Sequence, residues 1–313
     1  MPIQKRKSSP GRGNSVNDRA RKLRNILNGR RTVAVPGVFN PAVALLAERA
    51  GFESLYLSGA AFANSLGLPD LGVTTLTEVA DAAERISSAV PSLPLIVDVD
   101  TGFGEAVNVT RTVARMEKAG AAAIQIEDQV VPKRCGHLEG KEVVEPLEMV
   151  KKLLAAKAAA KTDLVVVART DAAAVEGIDG AIERARAYLK AGADAIFPEA
   201  LTSRAEFAEF ERKVRAPLVA NMTEFGKTPY LSVSDFSKIG EGYKLVIFPA
   251  TAFRVAMKAV QWAYKELSRS GTQKGLLDKM MTRSEFYALT DYRSIEKTDD
   301  DVAREAVRLL DND

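Results

Sequence analysis

Met116-Glu117-Lys118-Ala119-Gly120-Ala121-Ala122-Ala123-Ile124-Gln125-Ile126-Glu127-Asp128 reads as the end of a helix, a stop and a buried strand. Gly120 suits a helix C-terminus because glycine enters the left-handed conformation without a Cβ clash. The run that follows stays almost wholly apolar until its polar end, the pattern of a strand covered on both faces in a parallel sheet. The phrase recurs. Ala47-Glu48-Arg49-Ala50-Gly51 precedes an apolar run over 53–58, and Tyr188-Leu189-Lys190-Ala191-Gly192 precedes one over 194–199. Five further runs, at 32–35, 95–100, 164–170, 217–221 and 244–249, bring the expected strands to eight, with helical patterns such as 108–118, 146–160 and 178–190 between them. Eight alternating units predict an α/β fold of the (β/α)8 TIM-barrel type. An open doubly wound sheet is disfavoured because no Gly-x-Gly-x-x-Gly follows the first strand.

The 313 residues accommodate one such barrel with terminal extensions. With 46% hydrophobic and 27% charged residues, the composition excludes disorder across the whole chain. The net charge of +3 carries no footprint of a nucleic-acid partner. There is no apolar run of membrane-spanning length and no secretory signal, so a cytoplasmic location without a membrane partner is expected. A single cysteine, Cys135, and a single histidine, His137, leave no internal disulfide and little from which to build a zinc site. Lys5, Arg6, Lys7, Arg12, Arg19, Arg21, Lys22 and Arg24 form a basic stretch that reads as solvated, with residues 1–18 as a flexible arm. The barrel is expected over 19–255. A helical extension follows over 256–313, and so long a tail should cover the barrel or pack on a neighbouring subunit.

Active sites of such barrels lie at the C-terminal ends of the strands. The polar residues there are Tyr56, Ser58, Asp98, Asp100, Glu127, Asp128, Arg169, Asp171, Glu199 and Asn221, each of which could instead cap a following helix. Asp98 and Asp100, two apart on one expected strand, should point to the same side. With Glu127 they form an oxygen-only cluster suited to Mg²⁺ or Mn²⁺, or else a proton-sharing carboxylate pair. Gly102 and Gly104 either leave that face open or simply loosen the loop. Lys133-Arg134-Cys135-Gly136-His137 sets a thiol beside two cations, which ease loss of its proton; the competing reading is a small inert hydrophobe. Arg169 offers a planar fork for a substrate carboxylate, or a salt bridge to Glu127 or Glu199.

With Tyr56-Leu57-Ser58-Gly59, Gly67-Leu68-Pro69-Asp70, Val97-Asp98-Val99-Asp100-Thr101-Gly102-Phe103-Gly104, Ile126-Glu127-Asp128-Gln129, the Cys135 motif, Val167-Ala168-Arg169-Thr170-Asp171, Phe197-Pro198-Glu199-Ala200, the segment Asn221 to Pro229 and Gly271-Thr272-Gln273-Lys274, the chain resembles the isocitrate lyase and phosphoenolpyruvate mutase superfamily, and within it the methylisocitrate lyases. The resemblance implies a magnesium-dependent retro-aldol cleavage of a small tricarboxylate, 2-methylisocitrate, to pyruvate and succinate, a step of the methylcitrate cycle in propionate breakdown. It gives the metal to Asp98, with Asp70, Asp100 and Glu127 holding its waters. It makes Cys135 the acid that protonates the departing succinate carbanion, Tyr56 a base for the hydroxyl proton, and Arg169 a charge-stabilising group. Ser58, Gly59, Ala60, Gly136, His137, Arg169, Glu199, Asn221 and Thr223 match positions around the substrate, and Ile247 and Pro249 match a wall that accepts the extra methyl. It also implies a homotetramer, a dimer of dimers with exchanged C-terminal helices. Ala60 and Ala61 stand where a further small glycine is common, which narrows the pocket. The rival activities are isocitrate cleavage, oxaloacetate decarboxylation and phosphonopyruvate-type chemistry, with a non-catalytic binding barrel as the remote alternative; the presence of Cys135 argues against the phosphonopyruvate and decarboxylase readings.

Overall fold

A computed structural model describes residues 16–311. Eight strands run β1 (Val33–Val38), β2 (Leu55–Leu57), β3 (Leu95–Asp98), β4 (Ala123–Glu127), β5 (Val165–Thr170), β6 (Ala195–Pro198), β7 (Leu218–Asn221) and β8 (Tyr243–Phe248). All neighbours are parallel and in sequence order, and β1 closes on β8 with Val33 opposite Leu245 and Val35 opposite Ile247. The helices are α1 (Val16–Asn28), α2 (Pro41–Arg49), α3 (Gly59–Ser65), α4 (Leu76–Ala89), α5 (Ala106–Lys118), α6 (Pro146–Ala159), α7 (Gly177–Lys190), α8 (Arg204–Val214), α9 (Val233–Ile239), α10 (Thr251–Ser270), α11 (Arg283–Leu289) and α12 (Tyr292–Leu310). Gly51, Gly120 and Gly192 follow α2, α5 and α7 with φ of 84°, 84° and 98°, so each repeated Ala-Gly ends its helix through the left-handed region.

Side-chain alternation sorts every strand into two cores. Val35, Tyr56, Ile96, Ala123, Val167, Phe197, Val219 and Ile247 meet inside the barrel. Their neighbours Leu57, Val97, Ile124, Val166, Ile196, Ala220 and Val246 face the helices. Counting on by two from the inner set gives Ser58, Asp98, Gln125, Glu127, Arg169, Glu199, Asn221 and Pro249. The inner face therefore turns from apolar to polar at the C-terminal rim.

Two local expectations change. Strand β3 ends at Asp98, and Asp100 lies beyond it with φ of 49°, so a turn and not strand alternation brings the two carboxylates together. The basic stretch is not all solvated: Arg19 to Arg24 lie in α1, whose Leu23 and Leu27 join the interior core at the base of the barrel. Arg19 donates to the Ser87 carbonyl at 3.2 Å, and Arg24 donates to the Asp163 and Leu164 carbonyls and to Asp194. Of the expected arm, residues 1–15 lie outside the described residues, and Val16–Asp18 begin α1. The chain divides into two compact units after Arg254. No helix among the described residues is long and apolar enough to cross a membrane.

The β1–β8 seam is where the ring closes, and Gly37 is its tightest point: a Cβ there would overlap the backbone of Pro249. Overpacking of a closed core typically costs about 1–3 kcal/mol. Gly37→Ala is expected to lose at least about that much stability by urea unfolding; an unchanged midpoint would show that the seam can yield.

Candidate active site

The inner rim and the loops above it enclose a cavity of about 160 Å³. Tyr56, Ser58, Ala60, Asp70, Asp98, Cys135, Gly136, His137, Arg169, Glu199, Asn221, Thr223, Ile247 and Pro249 all line it. Three expected site residues stand behind this wall. Gly59 spends its backbone N–H on Asp98 Oδ2 at 3.1 Å. Asp100 lines a neighbouring cavity, and Glu127 is buried beneath Arg169. Asp128, one residue past the inward-facing Glu127, is turned away from the cavity and accepts hydrogen bonds from Thr170, Tyr188 and the Asp171 backbone.

Asp98 is fixed by two backbone donors, Gly59 N–H and, on its other oxygen, Asp100 N–H at 3.1 Å. Burial and then the nearby Asp100 charge push its carboxyl up to about 6. Burial likewise holds the proton on Glu127 well above the usual range, against the pull of Arg169 and Lys133. Lys133 enters this acidic group from the Cys135 loop. Its ammonium contacts Asp70 and lies 2.9 Å from Asp100, with the side chain only 6% exposed. Burial alone would lower its pKa, but Glu127, Asp100, Asp70 and Asp98 together raise it.

These carboxylates fit a small divalent cation. Both Glu127 oxygens are buried and accept no hydrogen bond. The four acids Asp70, Asp98, Asp100 and Glu127 outnumber the two cations among them, Lys133 and Arg169. Among the described residues no three acidic, histidine or cysteine side chains form a ready-made metal cage. Mg²⁺ does not need such a cage, since it keeps several waters and takes one or two carboxylates directly while others hold those waters.

Arg169 is engaged as an ion-pair centre. It donates to both Asp171 oxygens at 2.9 and 3.1 Å, lies 3.4 Å from Glu127 and 3.2 Å from Glu199, and stacks 5.3 Å from the Phe197 ring centroid. The salt-bridge alternative is thus realised, while the guanidinium still reaches the cavity wall. Burial opposes ionisation of Glu199, but Arg169, His137 and Lys141 hold its carboxyl well below the usual range. Tyr56 Oη donates to Gln125 Oε1 at 2.5 Å. Burial, then the negative charge of Asp98, keep the phenol proton in place well above its ordinary range. An expected role for Tyr56 as a proton acceptor runs against this environment.

The loop over 128–145 is built to hold its shape. The Gln129 amide clasps Arg134 twice, donating to its carbonyl and accepting from its N–H, both at 2.9 Å. Lys141 binds the Gly136 carbonyl and, at 2.9 Å, Asp171. Gly136 lies so close over Glu199 and Arg169 that a Cβ would collide with both. Cys135 borders the cavity as a free thiol. The Lys133 charge expected to act on that thiol is committed to Asp70 and Asp100 instead.

Sequence reasoning missed Gln125, Lys141 and the use of Lys133. Gln125 left a signal, as the one polar residue inside the apolar run Ala123 to Ile126. The lysines left none, because their carboxylate partners come from distant loops.

A barrel rim of this kind, acidic on one side and carrying an Arg–Glu–Asn group and a cysteine loop on the other, defines a class of α/β-barrel enzymes acting on small carboxylates. Residues 23–268 match the family model described as phosphoenolpyruvate phosphomutase, and the chain belongs to that family. It is 58% identical over 288 residues to a 2-methylisocitrate lyase of Aeropyrum pernix, covering 92% of each chain. Among solved structures, 2,3-dimethylmalate lyase, a superfamily member, is 37% identical with a TM-score of 0.85, over 92% of this chain and 95% of that one. Phosphonopyruvate hydrolase in complex with oxalate and Mg²⁺ is 33% identical with a TM-score of 0.81, over 89% and 97%.

Should Asp98 bind a cation directly, its raised pKa makes that binding pH-dependent. A group pushed up to about 6 is ionised above that pH and protonated below it, and a cation binds the ionised form. Mn²⁺ affinity measured by calorimetry is expected to be level above pH 7 and to fall toward about tenfold per unit below pH 6. An affinity unchanged down to pH 5 would remove Asp98 from the metal's direct ligands.

Proposed function

We propose that the chain is a carbon–carbon lyase that cleaves 2-methylisocitrate to pyruvate and succinate with Mg²⁺, or Mn²⁺, as cofactor. The observation that carries this reading is that Cys135 and Asp98 border one small cavity whose remaining polar wall is Arg169, Glu199, Asn221 and His137. Relatives named 2-methylisocitrate lyase that are 45 to 58% identical over most of the chain support it.

A divalent cation held by Asp98, with Asp70, Asp100 and Glu127 on its waters, would supply positive charge at the substrate's hydroxyl and neighbouring carboxylate. The chain's own groups do the rest. Arg169 and Asn221 orient and partly neutralise substrate carboxylates, so that charge developing as the carbon–carbon bond breaks meets positioned donors. The hydroxyl proton passes to a carboxylate of the acidic group on the cavity wall, the bond's electron pair passes to the succinate fragment as a carboxylate-stabilised carbanion, and the pyruvate carbonyl emerges. Cys135 delivers its proton to that carbon. Tyr56 keeps its proton and orders the cavity floor through Gln125. Ile247 and Pro249 form the wall that receives the substrate methyl, which is worth only about 1–3 kcal/mol of preference over isocitrate.

The protein is proposed to act in the cytoplasm as a homotetramer, a dimer of dimers that exchanges C-terminal helices. Neither α10 nor α12 has a buried residue, yet Val260, Trp262 and Tyr264 on the first and Ile295, Val302 and Leu309 on the second expose large apolar surface. Sedimentation velocity is expected to give a tetramer, and a monomer at micromolar concentration would remove that part of the reading.

Cys135→Ser should keep its fold and bind succinate while losing about 10²-fold or more in turnover, the scale of a positioned acid; near-normal turnover would return the thiol to an inert role. Preference is checked by kcat/KM for 2-methylisocitrate and isocitrate side by side, expected to favour the former by about 10–200-fold. A ratio at or below one would assign the chain to isocitrate cleavage.

A further inference from the structure

The cysteine loop is joined to a second loop, over 222–232, that follows β7 and carries Thr223. The joint is His137. Its Nδ1 accepts a hydrogen bond from the Lys227 backbone N–H at 3.1 Å, so the ring proton sits on Nε2, which lies 3.1 Å from Glu199 Oε1. The imidazole rests on Gly226. A Cβ at that position would be 2.6 Å from Nδ1, 2.8 Å from Cγ and 2.9 Å from Cε1, all atoms of one rigid ring with no flexible end to give way. Gly226 does not adopt a left-handed backbone, so the space, and not its φ, is what excludes a side chain. The second loop is itself anchored at both sides of the cavity: Thr228 donates to the Leu201 carbonyl at 2.8 Å, and Glu224 pairs with Thr251 and, at 3.4 Å, with Arg254.

We infer that Gly226, with the Lys227 N–H, is a positioning residue for Cys135: it seats His137 and thereby latches the loop bearing the acid to the loop bearing Thr223. Substrate contacts at Thr223 then set the thiol's place through the latch, and neither Gly226 nor Lys227 need touch the substrate. The inference deepens the lyase reading and rests on it for the identity of the acid, but the latch itself can be read without turnover.

The chain has a single cysteine, so alkylation by iodoacetamide reports on this loop alone. In Mg²⁺ with succinate, Gly226→Ala is expected to be alkylated about fivefold or more faster than the parent, the factor that one net hydrogen bond is worth. Its kcat for 2-methylisocitrate should fall while KM and Mn²⁺ affinity stay near the parent values. Two histidine variants separate the ring's two contacts. His137→Asn places an oxygen where Nδ1 was and should retain slow alkylation. His137→Gln places its amide where Nε2 was, loses the latch, and should be alkylated as fast as Gly226→Ala. The inference is overturned if Gly226→Ala is alkylated at the parent rate, or if the glutamine variant is as protected as the asparagine variant. Should Gly226→Ala fail to fold, the histidine pair decides alone. If instead the parent does not cleave 2-methylisocitrate, the alkylation order still tests the latch while the substrate assignment falls.

Discussion

Arg169 is the charge on which the site depends. It leaves β5 pointing into the barrel and meets carboxylates from three strand ends, Glu127, Asp171 and Glu199, in a place with little water to share the work. Removing one partner from such a buried group typically costs about 3–5 kcal/mol, because the remaining charges lose their compensation. The same cation divides the acids. Glu199, closest to Arg169, His137 and Lys141, is held ionised, whereas Glu127, buried deeper, keeps its proton more firmly. One guanidinium therefore sits between a charged carboxylate on the cavity wall, Glu199, and a protonated one behind it, Glu127.

Much of this was legible in the residues. The repeated Ala-Gly followed by an apolar run predicts helix, stop and strand because glycine's conformation and strand burial are local properties. Alternation then assigns the inner face, which is why Tyr56, Ser58, Asp98, Arg169, Glu199, Asn221 and Ile247 fall around one cavity. What alternation could not give was anything past a strand's end. Asp100 reaches the acidic group through a left-handed turn, and Lys133 through a loop that doubles back, so the cation assigned to the thiol serves the acids. The basic residues of α1 misled for a similar reason. Composition reports charge, but only the helix register shows that Arg19 and Arg24 reach carbonyls while Leu23 and Leu27 turn inward.

Gly59, Gly136 and Gly226 share a logic that composition hides. Each allows a close approach: Gly59 to the Asp98 and Asp100 carboxylates, Gly136 to Glu199 and Arg169, and Gly226 to the His137 ring. None is in the left-handed region, so their small size, and not their flexibility, is what the site uses. The cavity of about 160 Å³ brings carboxylates and a thiol together, and at Gly136 the backbone itself forms part of its wall.

The packed interior beneath the rim has a consequence for traffic. Leu23 and Leu27 of α1 close the bottom, and the inner faces of the strands fill the space above them, so the barrel is a vessel with one mouth. Whatever enters over the rim must leave over it, and two products of a cleavage share that opening. The segment holding Cys135 borders the same mouth. Pinned as it is by Gln129, Lys141 and the His137 contact, that segment narrows one opening for substrate and products alike.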